Sequence, residues 1–331
     1  MIMYCGALRR PLWLFIHMKP LSVEEARMSA GKMHVDEIDT NVSLVARLLT
    51  TQFPQWADLP LDPVPSAGTD NALYRLGDDM LVRLPRIHWA IEQVDKEHRW
   101  LPRLAPFLPL AIPAPLAKGQ PGEGYPWHWS VYRRLEGENA TIERIDDPRR
   151  AATDLARFIA ALQRIDATGG PPPGSHNSYR GEPLAMRDTR TRDAIATLRG
   201  ALEADAALAV WNAAIEAPAW RGAPVWLHGD LQSGNLLVVQ GRLSAVIDFG
   251  CLGVGDPACD VMAAWMFLSA ETREVFRAAL KVDEATWARG RGWALSVGLI
   301  ALPYYQDTNP VLAGIARRAI REALADHRAS G

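Results

Sequence analysis

Asn235 and Asp248 lie at the two ends of a short segment with the pattern of a β-hairpin. Residues 236–239 are apolar, residues 240–242 contain a glycine and have the length of a tight turn, and residues 243–247 are again largely apolar. Because the open ends of an antiparallel pair lie side by side, we expect the oxygens of Asn235 and Asp248 to share one small volume. One anionic and one neutral oxygen suit Mg²⁺, which keeps several waters and binds substrate phosphates. The sequence therefore predicts a magnesium site at this end of the hairpin.

Asp230 precedes Asn235 on the same loop, which Gly229 and Gly234 allow to turn tightly. A carboxylate in reach of the magnesium site can accept the proton of an attacking hydroxyl and orient it toward a terminal phosphate. Taken singly, Asp230 or Asn235 could be an ordinary turn or cap residue. Together with Asp-Phe-Gly at 248–250, they follow the order of base, amide ligand and acidic ligand that kinases use. The set therefore predicts phosphoryl transfer to a hydroxyl.

The stretch resembles the catalytic core of the aminoglycoside phosphotransferase and choline kinase superfamily, where His-Gly-Asp replaces the His-Arg-Asp of protein kinases. Here that motif occupies 228–230. The resemblance covers most of residues 40–331 in the order of elements and residues 225–261 in sharp motifs. It implies an α+β, bilobal protein-kinase-like fold with a strand-rich N-terminal lobe and a mainly helical C-terminal lobe.

The resemblance also implies roles for single residues. Asp230 is expected to be the catalytic base, and Asn235 and Asp248 the metal ligands. His228 is expected to brace the loop, and Asp260 to stiffen it through hydrogen bonds.

Asp256 has two interpretations. The resemblance places it near the substrate. The sequence also suits a helix N-cap just before Pro257, a favoured arrangement. The two roles are compatible, and both stay open at this point.

The first half of the chain has mostly the pattern of strands, with helical spacing in two places. Helical spacing is found over 35–49 and again over 89–104. Alternating segments at 72–76 and 80–84 predict a hairpin, and residues 127–135 read as a strand.

The second half is mostly helical. A helix is expected to open at Asp147-Pro148, and others at 188–200 and 205–217. We therefore expect three regions: a loosely ordered extension over 1–33, a nucleotide-binding lobe over 34–135, and a catalytic and substrate lobe over 136–331.

Arg83 stands on the predicted return strand of the first hairpin, where the family that the chain resembles has lysine. Arginine is always charged and grips phosphate with two donors, so it can hold nucleotide phosphates. Its acidic partner is expected on the next helix, with Glu97 preferred and Glu92 as the alternative. The alternatives without a functional role are that Arg83 is a solvated strand residue and that the two glutamates are surface charges on an amphipathic helix.

Two further segments are assigned to nucleotide binding by resemblance. Gly68 and Thr69 belong to a loop that would cover the phosphates with its backbone and the Thr69 hydroxyl. Backbone groups near Arg133 and Leu135, at the junction of the lobes, would form hydrogen bonds with the nucleobase.

Composition sets limits on the class of protein. The chain has 331 residues and a formal net charge of −2, which argues against a dedicated nucleic-acid binder. Its three cysteines, Cys5, Cys251 and Cys259, form neither a disulfide framework nor a zinc motif, and a reducing cytoplasm is the simplest location. No apolar run is long enough to cross a membrane.

The acceptor is the open part of the prediction. Aromatic residues of the helical lobe, among them Trp265, Trp287 and Trp293, could wall a site for a cationic or sugar-bearing alcohol, or could be core. We expect a kinase that uses ATP or GTP and Mg²⁺ on a small-molecule alcohol, by default an aminoglycoside-type antibiotic. The alternatives are a kinase of a macrolide or of a metabolite alcohol such as choline, homoserine or a sugar, a nucleotide-binding pseudokinase and, ranked last, a metal-dependent hydrolase.

Overall fold

The computed structural model describes residues 37–330 except Ala67 and Ala201. From Ile38 onward the chain forms one compact unit. The extension expected over 1–33 lies outside the described residues.

A five-stranded antiparallel sheet in the order β1-β2-β3-β5-β4 forms the first part of this unit. Its strands are β1 Leu61–Pro63, β2 Asn71–Leu76, β3 Met80–Pro85, β4 Ala114–Gly119 and β5 Trp129–Arg133. Alternate residues of β3, such as Val82 and Leu84, are buried against Val45 and Leu48 of helix α1 (Val42–Gln52). The predicted hairpin is thus confirmed, and its turn contains Gly77 at a positive φ of 59°.

The two helices of this part match their predicted ranges unequally. Helix α1 begins at Val42 rather than near residue 35, because the Asn41 side chain caps it by accepting the Leu44 N–H at 2.9 Å. Helix α2 (Ile91–Leu104) is confirmed, although its first predicted turn is a 3₁₀ turn.

The second part is mainly helical, as predicted. Its helices are α3 Pro148–Arg164, α4 Asp188–Thr197, α5 Ala204–Glu216, α6 Ala258–Val261, α7 Ala263–Met266, α8 Ala270–Leu280, α9 Glu284–Tyr305 and α10 Pro310–Ser330. Helix α3 opens where the sequence indicates, since Asp147 caps the Arg150 N–H at 3.0 Å and Pro148 follows it. One large core joins these helices to α2.

Two small sheets position the chemistry. Strands β6 (Glu138–Asn139), β8 (Leu236–Val239) and β9 (Arg242–Val246) form one, and β7 (Val225–Leu227) pairs with β10 (Gly253–Gly255) in the other. The segment that we call the catalytic loop, residues 228–235, runs from β7 to β8. It is therefore fixed at both ends by strand pairing.

The expected α+β, bilobal protein-kinase-like fold class is confirmed by this arrangement of a strand-rich and a helical part. None of the described helices is long and apolar enough to cross a membrane.

Candidate active site

The β8–β9 hairpin brings Asn235 and Asp248 to neighbouring positions. Leu236 pairs with Val246, and the Ile247 N–H donates to the Asn235 carbonyl at 2.9 Å. The Asn235 amide nitrogen donates to the Asp230 carbonyl at 2.8 Å and to Asp230 Oδ2 at 2.9 Å. The structure therefore brings together the three residues on which the sequence prediction of phosphoryl transfer depends.

The oxygens of this group suit a hard cation. Asn235 uses its amide nitrogen to donate both of its side-chain hydrogen bonds to Asp230, which turns Oδ1 away from those two acceptors. The Asp248 side chain is 47% exposed and sits at a left-handed φ of 61°, which aspartate tolerates better than most residues. Among the described residues no group of three or more His, Cys, Asp or Glu could hold a metal. One carboxylate and one amide oxygen fit Mg²⁺, which needs few protein ligands, and do not fit a zinc site.

His228 connects the catalytic loop to the hairpin. Its Nδ1 accepts the Asp230 N–H at 3.2 Å, so Nε2 must be the protonated nitrogen and donates to the Ile247 carbonyl at 3.0 Å. Burial lowers the pKa of His228, which keeps the ring neutral. The bracing expected of His228 is thus a pair of hydrogen bonds that hold Asp230 next to the end of β9.

Asp260 is fully buried beneath the same loop. Its two carboxylate oxygens accept the His228 N–H at 2.8 Å and the Gly229 N–H at 2.7 Å. Burial raises the pKa of Asp260, although the hydrogen bonds from these two backbone donors oppose the rise. The contact expected between Asp260 and the loop is present.

Asp230 is partly buried, with Gly229 directly before it. Burial raises the pKa of its carboxyl, and the nearby Arg180 guanidinium acts in the opposite direction. Gly229 has a φ of 82°, and a Cβ there would lie 2.6 Å from the Cys251 carbonyl oxygen. Glycine is therefore required for the loop to approach Cys251 so closely.

Arg83 forms an ion pair with Glu97 of α2. Its Nη1 donates to both Glu97 oxygens at 2.7 and 2.8 Å, and Glu97 is 1% exposed. Its Nη2 donates to Gln93 at 3.0 Å and to Asp248 Oδ1 at 3.1 Å. The partner of Arg83 is thus Glu97, whereas the alternative Glu92 is exposed.

The other predicted nucleotide residues lie in the loop before β2 and at the end of β5. Thr69 is buried, and its hydroxyl donates to Asp70 at 3.0 Å and also interacts with the Tyr305 hydroxyl at the end of α9. Gly68 precedes it in the loop before β2. Arg133 ends β5, with an exposed side chain that contacts Asp79 at 3.2 Å, and Leu135 follows in the segment that leads to β6.

Asp256 makes the contacts of a cap and of a buried ion pair. It is 6% exposed and accepts the Ala258 N–H at 2.9 Å. Both of its oxygens also accept hydrogen bonds from Arg289 of α9, at 2.8 and 3.1 Å. Of the two interpretations left open by the sequence, these contacts favour the structural one.

The tryptophans considered as walls for an acceptor belong to the core. Trp265 and Trp293 are fully buried and Trp287 is 4% exposed. Asp283 caps α9, and Glu284 pairs with Arg277. The core interpretation of these aromatic residues therefore holds, and this set does not form an open acceptor site.

Sequence reasoning missed two cations beside the site. Arg180 has its Nη2 3.8 Å from Asp230 Oδ1, and Lys96 donates to the Gly250 carbonyl at 2.7 Å and to the His176 carbonyl at 3.0 Å. Arg180 lies in an irregular segment far from Asp230 in the sequence, so no local spacing connects them. Lys96 stands next to Glu97 on α2, where it reads as an ordinary helix lysine.

The sheet side carries an arginine–glutamate pair, and the helical side carries an Asp-Asn-Asp group. Together with the kinase-like pair of lobes, these groups define a protein-kinase-like phosphotransferase. The chain belongs to the phosphotransferase enzyme family (APH), whose model matches residues 63–293. The resemblance and the expectation of a small-molecule kinase are thereby confirmed.

Solved structures of similar fold include aminoglycoside and macrolide enzymes. The complex of APH(2")-IIia with GDP and kanamycin has a TM-score of 0.68 and 18% identity, over 85% of this chain and 98% of that chain. The macrolide 2'-phosphotransferase MphH from Brachybacterium faecium has a TM-score of 0.56 and 22% identity, over 84% and 97%. The streptomycin–ATP complex of APH(2")-IIa has a TM-score of 0.56 and 17% identity, over 87% and 97%. No curated protein sequence matches the chain significantly.

Proposed function

We propose that the protein transfers the terminal phosphate of ATP or GTP to a hydroxyl of a small molecule, with Asp230 as the base. The observation that carries the proposal is the convergence of Asp230, Asn235 and Asp248 at the end of one hairpin, opposite the Arg83–Glu97 pair. Asn235 occupies Oδ2 of Asp230, so Oδ1 is the oxygen that would accept the proton of the acceptor hydroxyl.

Nucleotide binding is assigned to both walls of the cleft. Gly68 and Thr69 would cover the phosphates, Arg83 would bind them, and Glu97 would aim Arg83. Backbone groups near Arg133 and Leu135 would form hydrogen bonds with the nucleobase. Solved relatives in complex with GDP or with ATP are consistent with either nucleotide.

Asn235 Oδ1 and the Asp248 carboxylate would hold Mg²⁺, which would neutralise phosphate charge when bound. In the described conformation Asp248 is held by Arg83 and by the Gly250 N–H at 3.4 Å. These contacts orient the carboxylate toward the cleft before any ligand arrives. His228 and Asp260 would keep the loop in this geometry and take no part in bond making.

For the acceptor we propose an aminoglycoside-type antibiotic, and hence a role in antibiotic resistance in the cytoplasm. The kanamycin and streptomycin complexes of proteins with this fold support that class. A macrolide acceptor is the second candidate, supported by the fold shared with MphH. Metabolite alcohols complete the range to be tested. In each case residues 34–135 would serve as the nucleotide lobe and residues 136–331 as the acceptor lobe.

The test is nucleotide turnover with Mg²⁺ across aminoglycosides, macrolides and small alcohols. We expect one class to stimulate turnover in the wild type and Asp230→Ala to abolish it. Asp78→Asn, in an exposed turn, is the matched control and should leave turnover unchanged. Nucleotide binding without transfer to any acceptor would favour the pseudokinase, and absence of nucleotide binding would overturn the proposal.

A further inference from the structure

Arg180 is a buried cation whose hydrogen-bonding groups are largely unused. The residue is 9% exposed, its Nε is buried without a hydrogen-bond partner, and its Nη2 lies 3.8 Å from Asp230 Oδ1, too far for a hydrogen bond. We propose that the Arg180 guanidinium binds the phosphoryl group while it is transferred. The inference deepens the proposed function and rests on it.

The surroundings of Arg180 leave its charge only partly balanced. Asp230 is the one carboxylate paired with it among the described residues. The neighbouring Cys251 thiol can take a hydrogen bond, but burial raises its pKa to about 12, so it carries no charge at neutral pH. The ring of Trp293 lies 5.9 Å away, at the limit of a cation–π contact. A guanidinium has five N–H donors, and burying these donors without hydrogen-bond acceptors is unfavourable. We therefore expect an anionic ligand to supply the missing acceptors.

The segment that carries Arg180 is tightly fixed. The Asn177 amide donates to the Arg180 carbonyl at 3.2 Å, and the Gly181 carbonyl accepts the Asp256 N–H at 2.9 Å. A Cβ on Gly229 would lie 3.1 Å from the Arg180 Cβ, which shows how closely the catalytic loop packs on this segment. The backbone that carries Arg180 is therefore held in place before a ligand binds, which favours the preorganisation that electrostatic stabilisation of a transition state requires.

The position favours the phosphoryl group over the acceptor as the ligand. Asp230 Oδ1 would receive the acceptor proton, so the attacking oxygen would lie about 3 Å from Oδ1 and about 3–3.5 Å from the phosphorus. Arg180 flanks the same oxygen of Asp230. A hydrogen bond from Arg180 to the attacking oxygen would withdraw electrons from the nucleophile, whereas one to a non-bridging phosphoryl oxygen would stabilise its charge.

The step balances without a further reactant. The acceptor oxygen forms a bond to the γ-phosphorus, and its proton passes to the Asp230 carboxylate. The bond from the γ-phosphorus to the β–γ bridging oxygen breaks, and its electron pair leaves with the nucleoside diphosphate. Arg180 donates to one of the three non-bridging oxygens throughout and exchanges no proton.

Arg83 has less capacity for this contact. It already donates to Glu97, to Gln93 and to Asp248. The Arg180 guanidinium, in contrast, donates to no oxygen in the hydrogen bonds of the described residues. The two arginines therefore have separate roles: Arg83 acts on the nucleotide side, and Arg180 acts beside the catalytic base Asp230.

The test compares Arg180→Met and Arg180→Lys with Arg187→Met. Arg187 is the matched control because it is a buried cation close in sequence that has its own partners, Ser296 Oγ at 3.1 Å and the Trp293 ring at 4.6 Å. Affinities for AMP-PNP or GMP-PNP and for the matching diphosphate are measured by calorimetry with Mg²⁺, and turnover is measured with and without millimolar guanidinium.

We expect Arg180→Met to weaken triphosphate-analogue binding about tenfold and to leave diphosphate binding within about twofold, since only the former has a γ-phosphate. Where transfer is measurable, kcat should fall about 10²–10³-fold with little change in the acceptor KM. Guanidinium should restore part of the turnover lost in Arg180→Met, and Arg180→Lys should retain more activity than Arg180→Met. Arg187→Met should lower the melting temperature, and guanidinium should not increase its turnover.

Three results would overturn the inference. The first is an equal loss of triphosphate and diphosphate affinity in Arg180→Met, and the second is a rise in acceptor KM at unchanged kcat. The third is that guanidinium restores activity to neither Arg180 variant and that both lose activity only because they unfold. Failure of the proposed function gives a different pattern. A wild type that binds nucleotides but transfers to no acceptor refutes the proposed chemistry, while the comparison of triphosphate with diphosphate affinity still decides the contact of Arg180.

Discussion

Single side chains at this site are shared between neighbours rather than paired one to one. Asp248 accepts from Arg83 and from the Gly250 N–H, and Glu97 accepts from Arg83 and from the Tyr132 hydroxyl. Removing one member therefore leaves several groups unsatisfied. Such losses are larger in a buried site than on the surface, because water does not replace the missing partner.

The Arg83–Glu97 pair leads to the first prediction. Glu97→Gln removes the charge opposite a guanidinium whose side chain is only 12% exposed. We expect the free energy of unfolding to fall by about 3 kcal/mol, the lower end for breaking a buried ion pair. Urea unfolding measures it.

Glu92→Gln is the control for this change, because Glu92 is exposed on the same helix. Its effect should stay within about 0.5 kcal/mol. Equal effects of the two substitutions would show that the pair contributes nothing specific.

At the scale of elements, the catalytic loop owes its shape to backbone geometry and to the strands on either side. Strands β7 and β8 fix its ends, and His228 and Asp260 hold its middle. Gly229 allows it to lie against Cys251.

Gly229→Ala should disrupt the loop more than the fold. The added Cβ would meet the Cys251 carbonyl at 2.6 Å, and alanine is disfavoured at a φ of 82°. We expect turnover to drop at least about 10²-fold, because a displacement of about 1 Å at a catalytic group has that effect. Turnover at saturating nucleotide, with circular dichroism to verify folding, measures it. Wild-type turnover in a folded variant would contradict the importance of this close approach.

Lys96 joins α2 to the segment after β9, and its titration gives a prediction on pH. Burial lowers the pKa of Lys96 to about 8 from an ordinary value of 10.5, while the carboxylates of Glu97 and Glu92 oppose this fall and Arg83 adds to it. Between these two pKa values the unfolded chain holds the extra proton. For this group the free energy of unfolding therefore rises with pH in that window, by at most about 1.4 kcal/mol per pH unit.

The measurement is urea unfolding of the wild type and of Lys96→Met at several pH values from 7 to 10.5. The wild type should gain stability relative to the variant above pH 8. A difference that is independent of pH would mean that Lys96 titrates alike in the folded and unfolded chain.

Prediction from sequence was strongest where one local pattern fixes the geometry. The hairpin between Asn235 and Asp248 is of this kind, because strand pairing alone decides where its ends lie. Arg180 and the Arg289 partner of Asp256 could not be found in this way. Each reaches its partner through tertiary packing of a distant element, and a lone arginine in an irregular or helical segment carries no signal of its partner.

At the scale of the whole molecule, polar contacts cross the cleft between the sheet and the helical part. Arg83 reaches Asp248, Lys96 reaches the Gly250 carbonyl, and Thr69 interacts with Tyr305. The first two join β3 and α2 to the segment after β9, whereas the third joins the loop before β2 to the end of α9.

The contact of Thr69 with Tyr305 gives the last prediction. Tyr305→Phe removes the hydroxyl that interacts with Thr69, a loss of about 1 kcal/mol, so nucleotide dissociation should become about fivefold faster. Thr69→Val should have at least this effect, because the Thr69 hydroxyl also donates to Asp70. Stopped-flow displacement of a fluorescent nucleotide measures both rates.

The double variant Tyr305→Phe/Thr69→Val is the control. Its effect should equal that of Thr69→Val alone, because Thr69→Val already removes the contact that Tyr305→Phe would remove. Additive effects would show that the two residues act separately on the nucleotide.

Cys251 has a consequence for how the enzyme can be inhibited. Its thiol lies beside Arg180 and within the field of Asp230, yet burial holds its pKa near 12. Thiolate, rather than thiol, reacts with alkylating agents and peroxide, so this cysteine is a poor target for a covalent inhibitor despite its place next to the base. An electrophilic inhibitor of this site would therefore have to react with another group.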